Sequence, residues 1–310
     1  MCKKSLINGI WRPSAVNLKA KLYLLTILIS LLPYKVLADN DTPIKVVTSF
    51  TILQNLVEEL GGTKVEIINL VAANSDAHIY SPKPSDAVAI ANADLVVMNG
   101  LGFEGWMSRL IENNATPGKK LVASRGINPL FIDGEPDPHA WQSFKNIKQY
   151  IFNITQALID IKPQYRIEFT QLNQAYMQSL NRLNTELAQQ LNSIPEAQRV
   201  VVTSHDAFNY LGDEFNISFI APAGINTDIE PSASDVAKLI GQIKAQNIKA
   251  LFVENISNPR LLEQIGTETN VAIGGSLYSD ALTDIHGPAA TYLDMMKYNI
   301  ESLVEAFKTQ

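Results

Sequence analysis

From residue 162 to residue 194 large apolar residues recur at Tyr165, Phe169, Leu172, Tyr176, Leu180, Leu183, Leu187, Leu191 and Ile194, 29 residues in eight steps, or about 3.6 per step. That is the period of one helix face. Pro163 suits a first turn and Pro195 ends the run. With neither glycine nor proline between them, the predicted helix is roughly 45 Å long at about 1.5 Å per residue, longer than a small domain is wide. A coiled-coil seam would repeat every 3.5 residues or so, and these steps fit the longer period. The pattern predicts a rigid spine joining two lobes.

On the N-terminal side, short apolar, β-branched runs at 44–49, 65–71, 95–99 and 121–124 alternate with amphipathic stretches at 52–60, 85–92 and 106–112. On the C-terminal side, strands at 200–204, 218–222, 250–254 and 271–275 alternate with helices at 207–215, 234–246 and 259–269. Residues 292–307 form a last amphipathic helix. Apolar strands alternating with helices mean βα units and parallel sheets buried on both faces. The expected fold is α/β: two lobes, each a four-stranded parallel sheet flanked by helices, joined by one long helix. The expected divisions are a leader at 1–38, an N-terminal lobe at 39–161, the linking helix at 162–194 and a C-terminal lobe at 195–310.

The leader departs from the globular composition of the rest. Lys3, Lys4, Arg12, Lys19 and Lys21 precede an apolar run at 22–32, and Val36, Leu37 and Ala38 offer a cleavage site before Asp39. This predicts a cleaved secretory signal peptide, since the apolar run is short for a membrane span. Cleavage removes six basic residues and no acidic ones, moving the net charge from −6 to −12. So acidic a product is a poor partner for nucleic acid. The one cysteine, Cys2, lies in the leader, and no Leu-x-x-Cys lipidation signal follows the apolar run. The expectation is a periplasmic monomer without disulfides or a lipid anchor.

In such sheets ligands bind beyond the carboxyl ends of the strands. His78 follows the second predicted strand, His139 lies on the loop after the fourth, and His205 directly follows the first strand of the second lobe. The last strand of that lobe leads into Asp280. Singly, each is more often a surface histidine or a helix-capping aspartate. Together, three imidazoles and a carboxylate form a closed tetrahedral set for one divalent first-row metal, held between two lobes.

The sequence resembles the metal-binding solute receptors of zinc and manganese ABC importers over essentially the whole chain after the leader. The resemblance is carried by T-S-F at 48–50, D-x-H-x-Y-x-P-x-P-x-D at 76–86, D-P-H-A-W at 137–141, T-S-H-D-A-F at 203–208, E-P-S at 230–232 and L-Y-S-D at 277–280. It implies a bound ion delivered to a membrane permease, and it places the four ligands on His78, His139, His205 and Asp280. Relatives often carry Leu-Asp where this chain has Gln142 and Ser143, which puts a local turn in doubt. The His-rich loop of many zinc receptors is absent from 125–138. His286 has no counterpart among the ligands and reads as a solvated loop residue.

Imidazole suits zinc, while manganese favours harder oxygen donors. Manganese receptors of the family commonly have Glu at the third ligand position, where this chain has His205, so zinc is favoured over manganese. A zinc hydrolase is the competing class, with Asp206 and Glu104 as candidate bases. Such residues are more often an outer partner of a ligand and a solvated or capping carboxylate, and a filled tetrahedral shell leaves no place for water. A metal-dependent surface adhesin is a third class, disfavoured by the missing lipidation cysteine.

Overall fold

The computed structural model describes Met1 and residues 42–114 and 117–308. The predicted leader and its cleavage position lie outside these residues. In the N-terminal lobe, β1 (Ile44–Thr48), β2 (Val65–Asn69), β3 (Leu95–Met98) and β4 (Lys119–Val122) form a parallel sheet in the order β2-β1-β3-β4. A two-stranded antiparallel ribbon follows, β5 (Phe131–Ile132) with β6 (Glu135–Pro136). The C-terminal lobe has β7 (Val200–Val202), β8 (Ser218–Ile220), β9 (Leu251–Glu254) and β10 (Ile273–Leu277), parallel and ordered β10-β9-β7-β8. Both sheets repeat one topology, with the direction of winding reversing beside β1 in one and beside β7 in the other. The crevice at such a reversal is where α/β folds bind ligands.

The predicted spine is observed as a 3-10 turn at Pro163–Tyr165 running into the helix Arg166–Asn192. Its buried face is formed by Phe169, Tyr176, Leu180, Leu187 and Leu191, with Leu172 and Leu183 half-buried at its margins. It packs against the helices Thr51–Gly61 and Ile147–Ile161 and against the last helix, Tyr292–Lys308. The helix Ile147–Ile161 is absent from the sequence reading, although Ile147, Tyr150, Ile151, Ile154 and Leu158 recur at helical spacing. It starts without a side-chain cap on Asn146. Its entry is held instead by Ser143, whose hydroxyl accepts from the backbone N–H groups of Lys145 and Asn146 at 3.1 Å each.

One apolar core runs through the N-terminal lobe, the spine, the last helix and the near side of the C-terminal lobe. A smaller cluster, built on Val202, Leu239, Ile243, Leu251, Leu262 and Ile265, lies under the outer helices of the C-terminal lobe. The shared core, rather than a thin hinge, joins the lobes.

Candidate metal centre

Four side chains meet where the carboxyl ends of the two sheets face each other. His78 lies on the loop after β2, and His139 opens the 3-10 turn Ala140–Gln142 after β6. His205 follows β7 and bridges to Ala223, and Asp280 follows β10. The structure brings all four together, their potential ligand atoms lying within 4.8 Å of one another. His78 Nε2 and His205 Nε2 are each 3.3 Å from Asp280 Oδ2, and His139 Nε2 is 3.6 Å from Oδ1. The side chains of His139 and Asp280 are fully buried, and those of His205 and His78 are 1% and 3% exposed. His286, by contrast, is exposed on its loop, apart from this cluster.

What sets the ring orientations is a pair of carboxylates. Asp137 Oδ1 is 2.8 Å from His139 Nδ1 and accepts the backbone N–H of His139 at 3.0 Å. Glu254 Oε1 accepts the backbone N–H groups of Ser204 and His205, at 2.8 and 2.9 Å. Its other oxygen is 2.6 Å from His205 Nδ1, a close ion contact whose alignment is not that of a formed hydrogen bond. A carboxylate at Nδ1 favours the tautomer that carries the proton there and leaves the Nε2 lone pair facing the centre. Asp280 has no hydrogen-bond donor on either oxygen although it is fully buried. A bare buried carboxylate is costly unless a cation faces it, so the donor set fits a divalent ion.

Electrostatics follow from this packing. Burial holds the His78 ring below its ordinary value, helped by the neighbouring rings of His139 and His205 and opposed by Asp280. Burial alone would lower His205, but Glu254 and Asp280 outweigh it and hold that ring well above the usual range. Asp280 is held well below the carboxylate range because the attraction of His139 and His205 exceeds the burial that would raise it.

Phe103 stands edge-on to His78 at 4.5 Å and Trp141 to His139 at 5.3 Å, so aromatic rings wall the centre on the N-terminal side. Trp141 Nε1 and Gln142 Nε2 both donate to the Ser279 carbonyl, at 2.9 and 2.7 Å. These bonds join the second histidine motif to the loop bearing Asp280. Gln142 and Ser143, where doubt fell on the local turn, therefore form an ordered turn with its own interlobe bond.

The two candidate bases have other places. Glu104 is not solvated: it is buried, accepting from the Ser49 hydroxyl and the Asn99 N–H at 2.6 Å each and from the Gly100 N–H at 3.2 Å. It pins the ends of β1 and β3, and Asn99 Nδ2 in turn donates to the Pro138 carbonyl beside His139 at 2.9 Å. The partner of the His205 ring is Glu254, not Asp206, whose carboxyl burial pushes up to about 6. Sequence reading missed Glu254 because it lies 49 residues from His205, and only the parallel pairing of β7 with β9 brings them together. Asp137 carried a local signal, two residues before a histidine.

The family model described as "Zinc-uptake complex component A periplasmic" matches residues 46–306. The chain belongs to this family. It is 31% identical to the manganese-binding lipoprotein MntA of Halalkalibacterium halodurans over 86% of this chain and 89% of the relative. It is 30% identical to the iron-binding protein YfeA of Yersinia pestis over 93% and 96%. Its fold superposes on the periplasmic zinc binding protein TroA from Treponema pallidum with a TM-score of 0.83 at 29% identity, covering 86% of this chain and 99% of that one.

The expectation of a product without a lipid anchor is corrected by these relatives, since MntA and the manganese ABC transporter substrate-binding lipoprotein PsaA of Streptococcus pneumoniae are named lipoproteins. An acyl anchor is attached covalently to a chain end and needs no spanning segment. That no helix among the described residues is long and apolar enough to cross a membrane is therefore no argument against one. With that expectation falls the reason given for setting an adhesin aside, and the choice of function rests on the site itself.

Proposed function

We propose that the protein captures one divalent transition-metal ion with His78, His139, His205 and Asp280 and delivers it to the permease of an ABC importer. The observation that carries this reading is the bare, fully buried Asp280 carboxylate facing three imidazole Nε2 atoms. Two of the rings are backed by carboxylates, the arrangement by which metal sites orient their ligands. The relatives are named for manganese, iron and zinc, and the choice among them here is a matter of donor chemistry. Three borderline nitrogens and a single anionic oxygen suit zinc better than manganese.

An enzymatic role is not the reading we adopt, because the two oxygens of Glu104 are already occupied by three donors and four protein ligands complete a tetrahedral shell. The test is metal analysis of protein purified without added metal, followed by competition titration. One ion per chain is expected, with zinc held over manganese. Because the Irving–Williams order makes nearly every such site prefer zinc, the informative comparison is His205→Glu, which adds an anionic oxygen donor and narrows the zinc-over-manganese ratio. An unchanged ratio would remove the third ligand from the argument for zinc.

A further inference from the structure

Both histidines from the N-terminal lobe stand two residues after an aspartate, and both aspartates use their two oxygens in the same way. Asp137 grips His139 with Oδ1 and accepts from Asn209 Nδ2, in the other lobe, with Oδ2 at 3.0 Å. Asp76 Oδ1 accepts the backbone N–H of His78 at 2.8 Å, and Oδ2 accepts the Thr227 hydroxyl, again from the other lobe, at 2.6 Å. The two crossings differ in setting. Asp137 is wholly buried, and its carbonyl also accepts from the Tyr210 hydroxyl at 2.8 Å. Thr227 is half-buried on the loop between β8 and the helix Ala233–Gln246, beside a cavity of about 460 Å³ that reaches His205.

That loop is held at both ends. At its start Ala223 bridges to His205, and the Gly224 carbonyl accepts the Asp206 N–H at 3.2 Å. At its end Ser232, from the E-P-S motif, caps the following helix by accepting the Asp235 N–H at 3.2 Å. Between these anchors, Thr227 makes the side-chain bond that crosses to the His78 loop. Lifting the loop breaks the Thr227 to Asp76 bond and frees the carboxylate whose other oxygen holds the His78 backbone N–H, while pulling on the bridge between Ala223 and His205. The loop therefore touches one ligand from each lobe.

We infer that Asp76 and Thr227 form a latch coupling the seating of this loop to the position of His78, so that the ion leaves when the latch opens. This rests on the metal-capture reading. Thr227 is a positioning residue: it acts on the ion only through Asp76 and His78. The full chain is loaded with zinc, and release into excess chelator is followed by stopped flow. Thr227→Val is expected to speed release about ten-fold, the size of one hydrogen bond to a charged acceptor, and Thr227→Ser, which keeps the hydroxyl, to restore the original rate.

In an Asp76→Ala background, already fast, Thr227→Val is expected to change nothing further, because the two act as one unit. Release unchanged by Thr227→Val overturns the latch. So does an equal acceleration in both backgrounds, which would mark residue 227 as a packing position only. Failure of the unsubstituted chain to bind zinc overturns the metal reading itself and the latch with it, whereas normal binding with an unaffected release rate sinks the latch alone.

Discussion

Each imidazole has two nitrogens, and the one that faces the centre is decided by what holds the other. Asp137 and Glu254 stand at Nδ1 of His139 and His205, so replacing either by alanine is expected to weaken metal binding roughly 10–100-fold, the usual cost of losing an outer partner. His78→Ala, His139→Ala and His205→Ala should each cost more than this in competition titration, while exposed His286→Ala should match the unsubstituted protein. Behaviour of His286 like the other three would refute the ligand set. The same residues set the pH dependence. With His205 raised and Asp280 depressed, the metal-free centre holds a proton on His205 between Glu254 and Asp280. In that form the raised ring contributes stability that is fully present below its unfolded value of about 6.5 and is lost as pH rises through the folded value. A metal ion must displace the proton, so affinity is expected to climb with pH through neutrality. Calorimetry in two buffers of different ionisation enthalpy should show net proton release on binding, and binding without proton release would count against a protonated His205.

Among the elements, the spine is where apolar period translates most directly into stability. Leu180 is fully buried on it and Ile167 is 73% exposed. Leu180→Ala should cost about 2–5 kcal/mol from lost contacts and the cavity left behind. Ile167→Ala should stay within about 0.5 kcal/mol. Urea unfolding monitored by circular dichroism distinguishes them, and equal costs would mean that the spine is not packed along the face described. The helix Ile147–Ile161 has the same kind of apolar face and yet escaped the sequence reading. It follows a segment read for its histidine motif and ends one residue before the turn that opens the spine. Without a capping side chain on Asn146 it also lacks a start signal, since its capping hydroxyl sits three residues earlier, on Ser143.

For the molecule as a whole, the centre forms only when both lobes are in place, because two of its residues come from each side of the spine. On the proposed metal-capture reading, folding brings together four side chains that the unfolded chain holds apart, and the ion should stabilise the native state by mass action. At a free zinc concentration of about 100 times the dissociation constant, the gain is about 2.7 kcal/mol. That corresponds to several degrees in melting temperature for a chain of this size. A thermal shift that persists in His139→Ala would show that the stabilising ion sits elsewhere. The shared core helps this coupling: the last helix, Tyr292–Lys308, belongs to the C-terminal side in sequence but packs on the spine and the first helix. Tyr292 donates its hydroxyl to the Trp141 carbonyl at 2.7 Å, beside His139.

The alternation of apolar strands with helices determined the two parallel sheets and the spine, because burial on both faces of a strand and on one face of a helix leaves a period that can be read locally. The three histidines and Asp280 were likewise visible as polar residues at strand ends, and the D-x-H spacing held the first grip on His78 and His139 within three residues of chain. Other features were decided only by the tertiary structure. Glu254 reaches the His205 ring through a neighbouring strand, and Glu104 is a buried pin rather than a solvated carboxylate because the Ser49 hydroxyl after β1 and the Asn99 and Gly100 N–H groups after β3 turn towards it. Asp280 stands among three rings, two of them from the other lobe, and the bonds from Trp141 and Gln142 to the Ser279 carbonyl beside it join the two lobes there. Each of these depends on a contact between residues far apart in the chain. Such contacts follow from strand order and interlobe packing, which no local period encodes.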